Sequence, residues 1–125
     1  MSREVLLSIS FRNQDIWYAE LECCADGAML GDKLEAAEAA LARWVSAELV
    51  AFHLEDSRLG RAGVLAVSAL IRRQRQRCRK FVLVGVHGLD RSRFRRLLRR
   101  GGGLPPWTIE NDYQAAKEWL VSPTS

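Results

Sequence analysis

The sequence predicts an α/β fold, a single domain with a central mixed sheet of about five strands and about four helices. Two observations carry that prediction. The stretch from Glu48 to Val86 reads strand, turn, helix, strand, with the near-continuous apolar runs Leu49–Leu54 and Lys80–Val86 on either side of a helical pattern. Such runs mark strands buried on both faces, and a helix between them marks a right-handed parallel crossover. The chain also opens with two alternating segments around Arg12-Asn13-Gln14-Asp15, the pattern of an antiparallel hairpin.

The elements follow in order. From Glu4 to Phe11, Val5, Leu7, Ile9 and Phe11 recur with period two, so a half-buried strand is expected. From Ile16 to Glu22, Trp17, Ala19 and Leu21 share one face and Tyr18, Glu20 and Glu22 the other. Cys23 to Leu30 is read as a connection. The first helix is predicted to start at Asp32, a good N-cap with Glu35 placed for a capping box. Leu34, Ala37, Leu41, Trp44 and Val45 form its apolar stripe. After the strand at 49–54, Gly60-Arg61-Ala62-Gly63 is read as a turn and Val64–Cys78 as the second helix. Its core face is Val64, Val67, Leu70, Ile71 and Cys78; Leu65 falls off that face, and Arg72, Arg73 and Arg77 point outward. Asp90 is expected to cap a third helix with Phe94, Leu97 and Leu98 inward. Gly101-Gly102-Gly103 ends it and Pro105-Pro106 blocks its continuation. Trp107-Thr108-Ile109 is a short strand. Asp112 caps a last helix with Tyr113, Ala116, Trp119 and Leu120 inward. The domain is predicted over residues 1–121, with 122–125 a frayed tail.

A chain of 125 residues buries roughly two thirds of its unfolded surface, which supports a core without staples. No apolar run approaches ~18 residues, and the N-terminus lacks the apolar segment of a secretory signal, so a cytoplasmic protein is expected. Cys23, Cys24 and Cys78 are too few and unevenly placed for a disulfide framework. His53 and His87 sit in no zinc-binding spacing, so neither a metal nor a cofactor is predicted. His53, inside an apolar strand, is expected to be a hydrogen-bonded core or rim histidine. No nucleophile–base pair stands out, and no catalytic residue is assigned. The triple glycine is not a phosphate loop, since it neither has the spacing nor opens a helix.

The net charge is +4, but twelve of the 19 basic residues lie between Arg72 and Arg100, with Asp90 the single acid among them. A basic face follows. It can be a solvated surface, dock an acidic protein patch or track phosphates. No helix-turn-helix, RNA-binding aromatic signature or zinc finger accompanies it.

The order of elements resembles a STAS domain, the module of sulfate-transporter tails and bacterial anti-sigma-factor antagonists. The residues that carry the likeness are Leu49–Leu54, the Gly60-Arg61-Ala62-Gly63-Val64-Leu65 stretch, Phe81–Val86 and Phe94-Arg95-Arg96-Leu97-Leu98 before Gly101. The resemblance implies a regulatory protein-binding module. It puts the contact surface at the start of the second helix, on Ser57, Arg58, Gly60, Arg61, Ala62, Gly63 and Leu65. In that family an Asp-Ser-Ser/Thr-Gly turn there is phosphorylated by a partner serine kinase, which releases the complex. Here Gly63 is kept, while Gly60, Arg61 and Ala62 replace the other three. Ala62 has no hydroxyl, so the phospho-switch is absent at that position; Ser57 and Ser68 are the nearby hydroxyls and neither replaces it. The resemblance leaves a second role, a small subunit beside a membrane-transporter ATPase, and nucleic-acid binding through the arginine face is a third. Arg58 and Arg61 at a helix N-terminus would also suit an anion. Monomer and homodimer are both left open.

Overall fold

The computed structural model describes residues 6–21, 27–43, 49–55, 57, 59–100 and 102–123. The expectations for Val5, Glu22, Cys23, Cys24, Trp44, Val45, Arg58, Gly101 and the end of the tail fall outside them. The elements are β1 (Leu6–Phe11), β2 (Gln14–Glu20), α1 (Gly27–Arg43), β3 (Leu49–His53), α2 (Gly60–Arg73), a 3-10 turn (Arg75–Arg77), β4 (Lys80–Val84), α3 (Gly88–Arg99), β5 (Trp107–Glu110) and α4 (Tyr113–Val121). The five strands form one mixed sheet in the order β1-β2-β3-β4-β5. β1 and β2 are antiparallel, and β2 to β5 are parallel.

The hairpin is tighter than the sequence suggested. Phe11 pairs with Gln14, leaving a loop of Arg12 and Asn13 alone, both with positive φ (51° and 65°). Two consecutive left-handed residues are the signature of a type I′ turn, whose twist matches that of the strands it joins. Gln14 and Asp15 therefore belong to β2.

Each parallel crossover advances one place in the same direction along the sheet. With right-handed crossovers this puts α1, α2 and α3 on one face, side by side. Their core contains Leu30, Leu34, Leu41, Val64, Val67, Leu70, Ile71, Phe94 and Leu98 against Val50, Phe52, Phe81, Leu83 and Ile109. α4 alone covers the other face, where Ala116 and Leu120 meet Ile16, Leu49, Ala51, Val82 and Val84. All five residues of β3 and of β4 are buried, as strands covered on both faces must be.

Three helix starts needed correction or refinement. α1 begins at Gly27, not Asp32, so Asp32 and Glu35 are exposed residues within the helix, and Leu30 is its first core residue. The buried row Leu30, Leu34, Ala37, Leu41 is one continuous stripe, and burying all of it outweighs a local capping signal. α2 begins at Gly60, so Gly60-Arg61-Ala62-Gly63 is a first helical turn rather than a turn before the helix. It ends at Arg73, and Cys78 packs on the core from beyond the 3-10 turn. α3 begins at Gly88 behind His87; Asp90 lies in its first turn and pairs with Arg93 at 2.9 Å. The Asp112 cap is present, its carboxylate accepting the Ala115 N–H at 2.8 Å.

Arg72, expected outward, and Lys80, counted in the basic stretch, both serve the fold. Arg72 donates to the carbonyls of Leu97 (3.0 Å) and Arg100 (2.5 Å), closing the C-terminal end of α3. Lys80 is buried, and its ammonium donates to the Trp119 and Ser122 carbonyls at 3.0 and 2.9 Å, closing α4. It also lies 4.6 Å from the Trp119 ring centre. Burial, and then the neighbouring Arg79, hold its pKa below the ordinary lysine range.

Candidate functional site

Helices α1, α2 and α3 each follow a parallel strand and run back against it, so their N-terminal ends gather at the rim where the strands end. The predicted contact residues lie on that rim. Ser57 is half-buried; its hydroxyl donates to the Leu21 carbonyl and its N–H to the Leu54 carbonyl at 3.2 Å. The loop is thereby tied to the ends of β2 and β3. Leu59 is buried, and Gly60 takes a φ of +61° that starts the helix without steric cost. Arg61, Ala62 and Leu65 are exposed.

Gly63 is different from its neighbours. It is buried, and a Cβ there would sit 3.1 Å from both Leu30 Cδ2 and Leu59 Cβ. Its smallness lets α2 approach α1, so this residue shapes the rim from below rather than touching a visitor. Ser68 is buried too, with its hydroxyl out of reach of solvent.

The outer face of α2 carries Ala62, Leu65, Ala66 and Ala69, all exposed. Leu65 is 51% exposed. Among the described residues four large apolar side chains are exposed: Leu7, Met29, Leu65 and Leu89. Three of the four lie in the first two turns of α1, α2 and α3. Because α2 packs between the other two helices, Leu65 occupies the middle of this set. Scattered exposed leucines need no explanation, but three at one end of three adjacent helices do.

On the opposite face of the sheet the same rim holds a polar cluster that the sequence reading did not assemble. The register pairs Tyr18 with Ala51 and Glu20 with His53, so all four point toward the α4 side. The Tyr18 hydroxyl meets His53 Nδ1, and His53 Nε2 lies 3.3 Å from Glu55 Oε2. Both ring nitrogens are satisfied when Nε2–H donates to the carboxylate and Nδ1 accepts from the phenol. Tyr113 stands edge-on to Tyr18 with ring centres 4.9 Å apart. Its hydroxyl is buried with no hydrogen-bond partner among the described residues, and burial raises its pKa. Glu20, also buried, pairs with Lys33 at 3.3 Å. His53 is thus the hydrogen-bonded rim histidine expected from its strand position. The missed signal was period two: Tyr18, Glu20, His53 and Glu55 occupy matching faces of neighbouring strand ends. With both nitrogens of His53 engaged, the cluster acts as a clip between β2, β3 and the loop after β3. Among the described residues no three His, Cys, Asp or Glu side chains gather as a metal site.

The arginine face divides into two groups. Arg73 grips Glu38 of α1 through Nε (2.7 Å) and Nη2 (2.8 Å), Arg79 reaches Gln14, Arg91 reaches Asn111, and Arg93 pairs with Asp90. The first three join separate segments of the chain, and the last lies within α3. Arg95, Arg96, Arg99 and Arg100 are exposed, and Arg95 and Arg99 line a groove of about 290 Å³ with Trp107, Thr108 and Ile109. No helix is long and apolar enough to cross a membrane among the described residues. No protein-family model, characterised protein or solved structure matches this chain.

Proposed function

We propose that this chain is a non-catalytic regulatory module of the STAS type. It binds a protein partner, resembling an anti-sigma factor or serine kinase, through the rim at the start of α2. The observation that supports this reading most is the placement of Met29, Leu65 and Leu89 at the N-terminal ends of three adjacent helices, with Leu65 half exposed at the centre. An apolar centre bordered by Arg61 is the composition of a protein contact rather than of a small-molecule pocket. The association is constitutive at this position, because Ala62 offers no oxygen to a kinase. Elsewhere a phosphate would bring nearly two negative charges into such a contact and expel the partner.

The test is a pull-down of the kinase-like protein encoded nearest this chain's gene, with wild-type chain and with Leu65→Asp. Leu65→Asp is expected to lose the partner while its circular dichroism stays that of the wild type. Retention of the partner by Leu65→Asp would remove the rim from consideration. Incubation with the same kinase and ATP is expected to leave residues 57–65 unmodified by mass spectrometry. Stoichiometric phosphoserine at Ser57 would instead show that the switch persists at a shifted position.

A further inference from the structure

We propose that the outer edge of β5 and the Arg95–Arg99 row of α3 together bind an acidic, extended segment of another protein, which adds to the sheet as a further strand. This surface lies away from the rim of α2, and it stands or falls independently of the reading above.

β5 ends the sheet, and its outer edge has no strand partner among the described residues. Its inner edge is identified by two hydrogen bonds: Phe81 N–H donates to the Pro106 carbonyl and Gly85 N–H to the Glu110 carbonyl. Backbone groups alternate in direction along a strand, so the even-numbered residues turn theirs toward β4. The N–H and C=O groups of Trp107 and Ile109 therefore point outward. Edges are blunted by shortness, by charged side chains, or by a lysine, a proline or a bulge within the strand, and β5 has its four-residue length and the terminal Glu110 but not the last three. Its first three residues, Trp107-Thr108-Ile109, favour extended structure.

Beside that edge lies a strongly basic stretch, with Glu110 at the end of β5 the nearest acid on its C-terminal side. No Asp or Glu occurs between Arg91 and Ile109, while six arginines do. Arg91 and Arg93 are engaged with Asn111 and Asp90, but Arg95 and Arg99 are exposed and line the groove against Trp107, Thr108 and Ile109. The two guanidinium groups come from positions four residues apart, a rise of about 6 Å. Alternate residues of an extended strand are about 6.8 Å apart and share one face. A chain with a carboxylate at every second position thus presents them to Arg95 and Arg99 in succession while its backbone pairs with Trp107 and Ile109. Trp107 is a firm wall for this groove, since its ring stacks on buried Phe81 at 6.1 Å and 10°. A nucleic-acid strand would match the charge but offers no N–H and C=O row to the open edge, which is why the peptide is favoured.

The test uses a fluorescent capped octapeptide with Asp or Glu at alternate positions and Thr or Val between them. It is titrated against wild type and against the Arg95→Glu/Arg99→Glu double variant, at low and moderate salt. Binding is expected to weaken by about tenfold or more in the double variant and to decline with salt. The same peptide N-methylated on alternate residues is expected to lose binding to wild type, because it cannot complete the ladder. On binding of the unmodified peptide, the amides of Trp107 and Ile109 should become protected from hydrogen exchange. Failure of the octapeptide to bind wild type overturns the proposal, and binding of oligothymidylate in its place reassigns the arginines to nucleic acid. Equal binding of the N-methylated peptide overturns strand addition. If the double variant proves unfolded, the N-methylated peptide and the exchange readout decide the matter on the wild-type chain.

Discussion

Gly85 and Glu55 stand backbone to backbone at the ends of β4 and β3: a Cβ on Gly85 would lie 2.8 Å from the Glu55 Cβ and 2.9 Å from its Cα. Gly85 also takes a φ of +79°, a conformation that side chains oppose. Its N–H is committed to the Glu110 carbonyl at 3.0 Å, and Leu54 N–H to the Val84 carbonyl at 2.9 Å. The close approach holds Glu55 where it meets His53.

Gly85→Ala should therefore destabilise the domain on the order of 2 kcal/mol, combining backbone strain with a steric clash against main-chain atoms that have nowhere to go. Urea denaturation measures this. An unchanged midpoint would show that the strand ends relax freely.

Lys80→Met keeps the apolar stem and removes the ammonium that closes α4. The Ser122 carbonyl then loses this donor, the Trp119 carbonyl keeps the Ser122 N–H and hydroxyl, and about 1 kcal/mol of stability goes with the change. Hydrogen exchange should show the loss concentrated in α4, with β3 and β4 amides remaining the most protected.

Glu38 accepts hydrogen bonds from Arg73 and from Gln74 Nε2 at 3.0 Å. The Arg73 bonds, more than burial opposes, lower its pKa below 4.5. A depressed carboxyl stabilises the fold fully above pH 4.5 and progressively less as pH falls through its folded value. Because Arg73 is largely exposed, the effect is small: Glu38→Ala should cost at most about 1 kcal/mol near neutrality, less at high salt. The variant should also show a shallower loss of stability between pH 5 and 3 (about those limits) than wild type.

Cys78 is half-buried beside the core, and burial pushes its thiol up to about 11 from 9.0. In a Cys23→Ser/Cys24→Ser background, Cys78 should react with a thiol reagent near pH 8 about 100-fold more slowly than an ordinary cysteine. Denaturant should restore the ordinary rate. Fast labelling of the folded protein would mean that the thiol is open to solvent.

Much of the architecture could be read from patterning. The all-apolar runs of β3 and β4 announced strands covered on both faces, and the hairpin, the Asp112 cap and the exposure of Leu65 were legible one residue at a time. Errors arose where two local signals competed. Asp32 and Glu35 mimic a capping box inside α1, and only the tertiary burial of Leu30 reveals the earlier start. Asp90 has the look of a cap but is spent on Arg93. Arg72 reads as a surface charge, and the tie of Lys80 to α4 stays hidden, because sequence does not say which helix end comes within reach of a long side chain. The Tyr18–His53–Glu55 clip was hidden for a similar reason: its members become neighbours only through the β2–β3 register.

Strand order in the sheet repeats order along the chain. Each parallel pair nevertheless joins residues separated by a whole helix, as Ile16 with Leu49 and Leu49 with Lys80, and such non-local pairing slows folding. Within the domain the hairpin precedes the strand–helix units, so each unit can lay itself against an edge whose strands have already been made. β5 is the last of these strands in the chain, so the edge bordered by arginines takes shape only after every other strand of the sheet has been made.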